Sequence, residues 1–137
     1  LPEGDFLNSN VIDLFKNKLD FNKHSTFETL KGLKVSAHLF IKRDGKIIQF
    51  VPFNKCAWHA GESLFNGRER CNDFSIGIEL EGTIDQEFTD KQYETLKPVI
   101  LKLKEKYEIT DIVGHSDIAP DRKLDPGPYF DWDKLND

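Results

Sequence analysis

Methionine is absent from this chain of 137 residues, cysteine occurs only twice, and no apolar run is long. Each lack excludes something. Cys56 and Cys71 cannot form the disulfide framework that holds small secreted domains together, so a reduced compartment is expected. Without a stretch approaching ~18 apolar residues there is no helical membrane span, and no membrane is expected as a partner. The formal net charge is -5, and adjacent basic pairs occur at Lys42-Arg43 and Arg122-Lys123 without extending into a stripe. Nucleic acid is therefore not expected either, because phosphate neutralisation needs many aligned cations. Such pairs suit a small carboxylate or phosphate. A chain that starts at Leu1 without methionine leads to the expectation that residues precede it. Repeats, low-complexity tracts and linkers are also lacking, so residues 1–137 read as a single domain.

What is present divides into short elements. Val11, Ile12, Leu14, Phe15 and Leu19 share one helical face, and a shorter turn around Phe27 and Leu30 stops at Gly32. Val35 to Phe40 alternates. Arg43-Asp44-Gly45-Lys46 then supplies an Asp-Gly hairpin signal before Ile47 to Pro52. Ser75 to Glu81 reads as a strand with Ile76, Ile78 and Leu80 on one face and Ser75, Gly77, Glu79 and Glu81 on the other. A strand face with two carboxylates and a glycine suits a cleft better than a core. Thr89 and Gln92 form a capping box for the longest helix, buried through Tyr93, Leu96, Val99, Ile100, Leu103 and Tyr107. Pro98 falls within it and predicts a kink. Asp111 to Val113 reads as a short strand. The fold class expected is α/β, a mixed central sheet flanked by helices.

Chemistry concentrates in GHSDIAPDRKLDPGP, residues 114–128. His115 and Asp125 offer an imidazole nitrogen and a carboxylate oxygen, both acceptable to zinc, which in catalytic sites takes three protein ligands. Taken alone, the segment is equally readable as an ordinary polar loop containing a histidine. If it meets the polar face of 75–81 in one cleft, Glu79 is placed to take a proton from water and Lys123 to stabilise an oxyanion. The competing reading for Glu79 and Glu81 is a solvated strand face, and Glu81 keeps a structural reading. Cys56 and Cys71 read as small packed residues. Arg122 reads equally as a salt-bridge residue or a substrate contact.

VSAHLFIKRDGKIIQFVPFNKCAWHAG (35–61), GRERCNDFSIGIELEG (67–82) and GHSDIAPDRKLDPGP (114–128) together resemble the zinc-dependent N-acetylmuramoyl-L-alanine amidases, most closely the cytoplasmic AmpD branch. The three segments stand in that family's order and spacing. The resemblance implies an amidase/peptidoglycan-recognition fold and hydrolysis of the amide between the lactyl group of 1,6-anhydro-N-acetylmuramic acid and L-alanine, in cell-wall recycling. It implies Zn2+ held by His115 and Asp125, Glu79 as acid/base, and Lys123 as stabiliser of the tetrahedral intermediate. Arg70 becomes a partner for a stem-peptide carboxylate, Lys34 stands where relatives often carry arginine, and Trp58 and His59 line the cleft. The family's first zinc ligand is a histidine on an N-terminal strand ahead of the segment matched by LPEGDF, so that strand and ligand are expected to lie before Leu1. Neither His38 nor His59 aligns with it, and His24 reads as a surface-loop histidine. The partner implied is a small muropeptide, and a monomer is expected. The alternative is a peptidoglycan-binding domain without catalysis, or an inactive fragment lacking the first ligand.

Overall fold

The computed structural model describes residues 36–136, and the readings made for 1–35, including the first two helical segments, His24 and Lys34, lie outside them. The centre is a three-stranded sheet of β1 (Leu39–Ile41), β2 (Ile47–Gln49) and β5 (Ile78–Leu80), ordered β2-β1-β5. β1 pairs antiparallel with β2 across the expected hairpin, and Gly45 takes φ 87 in its turn. On the other side β1 pairs parallel with β5, Phe40 standing opposite Glu79. The sheet is therefore mixed, as expected. β3 (Leu64–Phe65) and β4 (Arg68–Glu69) form a separate two-stranded hairpin. β1 is buried on both faces, from Ala37 through Ile41.

The long helix α1 (Asp90–Lys106) covers one face. Its capping box is formed: Gln92 N–H donates to Thr89 Oγ1 at 3.2 Å and Thr89 N–H to Gln92 Oε1 at 3.0 Å. Tyr93, Leu96 and Ile100 of α1 pack with Ile41, Phe88 and Phe130 in the core, joined by Ile78 and Leu80 of β5. Val99 and Tyr107, expected in the buried stripe, are half-buried. Gln92 joins the buried set instead, its amide donating to the carbonyls of Ile41 and Glu81 at 3.2 and 2.9 Å. The helix continues through Pro98, which is exposed, so the Glu94 carbonyl that the missing N–H cannot serve is on the wet side. No helix among the described residues is long and apolar enough to cross a membrane.

Two further expectations change. Residues 111–113 pair with no strand among the described residues, and Ile112 and Val113 remain 38% and 41% exposed. β-branched residues suit a strand only where a neighbouring edge is free to pair. Cys56 is exposed, its thiol donating to the Asn72 carbonyl at 3.3 Å, whereas Cys71 is buried as expected.

Candidate active site

Because Ile78 and Leu80 face the core beneath α1, alternation turns Glu79 to the opposite side of β5. Two loops meet it there. The 114–128 loop is closed on itself: Ser116 N–H donates to the Asp125 carbonyl at 2.9 Å, and a Cβ on Gly114 would come within 2.6 Å of Pro126 Cδ. That closure brings together two residues ten positions apart. His115, the first residue of the short helix α2 (His115–Ile118), has Nδ1 3.3 Å from Asp125 Oδ2. Residues 57–62 form the second loop. The Ala60 carbonyl accepts from His115 Nε2 at 2.9 Å and from Arg122 Nη2 at 2.7 Å. Asn72 Oδ1 accepts from the N–H groups of His59 and Ala60 at 3.0 and 2.7 Å.

Electrostatics tie the four candidates together. Burial first, then the Asp125 charge, pushes the Glu79 carboxyl up to about 7, against the opposing pull of His115 and Lys123. Burial alone would raise Asp125, but the hydrogen bond and charge of His115 overcome it and hold the carboxyl below its ordinary range. The same bond is the largest cause raising His115, against burial and with help from the Ala60 carbonyl. Lys123, half-buried, acts on all three groups.

The donor chemistry suits zinc as far as it extends. Since the Ala60 carbonyl can only accept, the hydrogen sits on His115 Nε2 and the Nδ1 side faces the carboxylate. A lone pair and a carboxylate oxygen at that distance repel unless a second proton or a cation lies between them. A histidine oriented by a backbone carbonyl and converging with a carboxylate is a common zinc-binding arrangement. Among the described residues no third His, Cys, Asp or Glu completes a cluster of three.

The remaining candidates are set apart. His38 is 1% exposed, and both its ring nitrogens serve backbone: Gly77 N–H donates to Nδ1 at 3.1 Å and Nε2 donates to the Lys55 carbonyl at 2.7 Å. Neither nitrogen is left for a metal. His59 lies over Gly77, where a Cβ would come within 2.3 Å of the imidazole Cγ. Ser75 Oγ gives its proton to the Cys71 carbonyl, so His59 Nε2 donates to Ser75 at 3.2 Å and Nδ1 is left as an acceptor. Burial, then the charges of His38 and His115, bring His59 down to about 4. Trp58 is 50% exposed beside it. Arg70 is exposed at φ 57, at the corner between β4 and the turn at Cys71–Asp73. Glu81 is structural: it is 5% exposed, and its Oε1 accepts from Arg43 N–H at 3.0 Å. Asn72 received no reading from the sequence, Ser75 was placed only on the polar strand face, and Arg122, read as a salt-bridge residue or a substrate contact, donates to the backbone carbonyls of Ala60 and Glu62. Apart from the Cys71 carbonyl that Ser75 reaches, their partners are backbone or ring groups 12 to 62 residues away, which leave no local signal.

Residues 9–128 match the family described as N-acetylmuramoyl-L-alanine amidase. The chain is 53% identical over 134 residues to the 1,6-anhydro-N-acetylmuramyl-L-alanine amidase AmpD of Escherichia coli K12, a match covering 96% of this chain and 73% of that protein. It superposes on a crystal structure of selenomethionine AmpD with a TM-score of 0.94 at 51% identity, covering 98% of this chain and 76% of that one. Against E. coli AmiD, solved with the substrate anhydro-N-acetylmuramic acid-L-Ala-D-gamma-Glu-L-Lys, the TM-score is 0.72 at 38% identity, covering 85% and 51%.

Proposed function

The chain belongs to the N-acetylmuramoyl-L-alanine amidase family, and from that premise we propose that it hydrolyses the amide between the lactyl group of anhydro-N-acetylmuramic acid and L-alanine in muropeptides. The reading takes residues 1–137 as one amidase domain, acting as a monomer in the cytoplasm on cell-wall recycling intermediates, with Zn2+ as its metal. What supports it is the 3.3 Å approach of His115 Nδ1 to Asp125 Oδ2, together with the charges of His115, Lys123 and Asp125 acting on the Glu79 carboxyl.

In this reading His115 Nδ1 and Asp125 Oδ2 are metal ligands, and a third comes from outside the described residues. Zinc, when bound, supplies Lewis acidity toward the amide carbonyl. The protein's own groups do the rest. Glu79, poised at about 7, accepts the proton of the attacking water and returns it to the departing L-alanine nitrogen. A carboxyl near neutrality serves both halves, since it is neither too weak a base nor too weak an acid. Lys123 offsets the negative charge growing on the carbonyl oxygen. Arg70 and, outside the described residues, Lys34 supply cations for stem-peptide carboxylates. Trp58 offers an indole face to sugar or peptide, and His59 a hydrogen-bond acceptor.

With two such donors among the described residues, the second reading is a muropeptide-binding domain without turnover. Zinc content by mass spectrometry, together with release of L-Ala peptides from an anhydro-muropeptide, decides between them. Stoichiometric zinc and turnover that collapses in Glu79→Ala are expected. Tight binding without turnover at saturating zinc would sink the enzyme reading.

A further inference from the structure

We propose that Arg122 is a positioning residue: its guanidinium holds the Ala60 carbonyl where that carbonyl orients the His115 imidazole. The proposal rests on the reading of His115 as a metal ligand. One carbonyl oxygen has two lone pairs, and here both are used, one by His115 Nε2 at 2.9 Å and one by Arg122 Nη2 at 2.7 Å. The same Nη2 donates to the Glu62 carbonyl at 2.9 Å, so Arg122 grips the 60–62 segment at two points. On the other side of the residue, Asn72 Oδ1 holds the Ala60 N–H at 2.7 Å. Ala60 is thus fixed at its N–H and at its carbonyl by side chains, and Arg122 comes from the same loop as His115.

The consequence is chemical. A neutral imidazole can carry its hydrogen on either nitrogen and can flip by half a turn. Only the form with hydrogen on Nε2 turns a lone pair on Nδ1 toward Asp125. A fixed acceptor at Ala60 selects that form before metal arrives. Without Arg122 the carbonyl keeps one partner fewer, the 60–62 segment loses two anchors, and the ring loses its selected form. Arginine suits the task because a charge-assisted N–H···O bond is about twice as strong as a neutral one.

Two measurements on wild type, Arg122→Ala and Arg122→Lys test this. Zinc affinity is read by competition with a chromophoric chelator, and the His115 Nε2–H resonance by 15N-edited NMR of the metal-free protein. Arg122→Ala should weaken zinc binding by roughly 10- to 100-fold, the range seen when groups behind a metal ligand are removed. It should also broaden or remove the Nε2–H signal. Arg122→Lys, which keeps a cationic donor, should recover most of both. A role in stability alone would lower the melting temperature and leave the imidazole signal in place. Zinc affinity within about twofold of wild type together with an unchanged signal in Arg122→Ala overturns the proposal. Should the wild type bind no zinc, the metal reading falls, and the imidazole signal still decides whether Arg122 positions the ring.

Discussion

Glu79 is held where a carboxylate is least comfortable, and the discomfort is of use. Its proton affinity is raised because burial and the neighbouring Asp125 both disfavour charge. A carboxyl with an ordinary value would be a poor proton donor to the leaving amine. Glu79→Gln should therefore lower kcat by about 10²- to 10⁴-fold, the usual worth of a positioned acid/base. The same burial predicts a stability effect of opposite sign. The folded chain retains a proton that the unfolded chain releases between about 4.5 and 7, so stability is complete at the acid end of that window and is lost as pH rises through 7. In the metal-free protein at pH 8, Glu79→Gln should gain about 2 kcal/mol, less than the full conversion of the shift because the residue keeps some surface in water. Urea unfolding of both proteins at pH 4 and pH 8 checks this, and an equal gap at the two values contradicts it. Lys123→Ala should cost about 10²- to 10³-fold in kcat with KM little changed, as for other groups that stabilise developing charge. A pure rise in KM in steady-state kinetics would make it a binding residue instead.

At the level of elements, β5 and the 114–128 loop carry the site because each is restrained by a glycine. Gly77 lets the His59 ring lie on the strand, and Gly114 lets Pro126 close the loop. Gly77→Ala should destabilise the fold by about 1–3 kcal/mol, the cost of forcing a methyl into a packed contact, and should displace His59. Thermal unfolding, with the His59 ring resonances as reporter, measures both parts, and a stable variant with an unmoved ring would refute the contact. The elements that sequence made legible are those defined locally. The Asp-Gly turn, the Thr89–Gln92 box and the alternation that turns Glu79 away from Ile78 and Leu80 all act within a few residues. The strand expected at 111–113 failed because pairing depends on a partner edge that no local pattern announces.

For the whole molecule, metal binding and protonation compete at His115. Its Asp125 hydrogen bond raises its proton affinity in the metal-free protein, so wherever His115 carries a second proton that proton leaves as zinc enters. Zinc affinity should fall by about tenfold per pH unit once the solution is below the raised His115 value, provided one proton is displaced. Isothermal titration in two buffers of different ionisation enthalpy counts that proton as the pH is lowered, and a count that does not rise toward acid would remove His115 from the ligand set. Zinc should also raise the melting temperature, since a ligand that binds only the folded state stabilises it by mass action.

Residue types and their spacing were enough, on sequence alone, for the family, the mixed α/β architecture and the grouping of Glu79, His115, Lys123 and Asp125 as candidates. They were enough because those motifs are long and contiguous, and because periodicity and turn chemistry are short-range. Atom availability was decided by tertiary structure. Packing consumes both nitrogens of His38, buries Glu81 against the Arg43 N–H, and sends Arg122 and His115 to the same Ala60 oxygen. Those partners stand between 17 and 62 residues apart in sequence. Separations of that size are set by how the sheet, the helix and two loops pack, and nothing local encodes them.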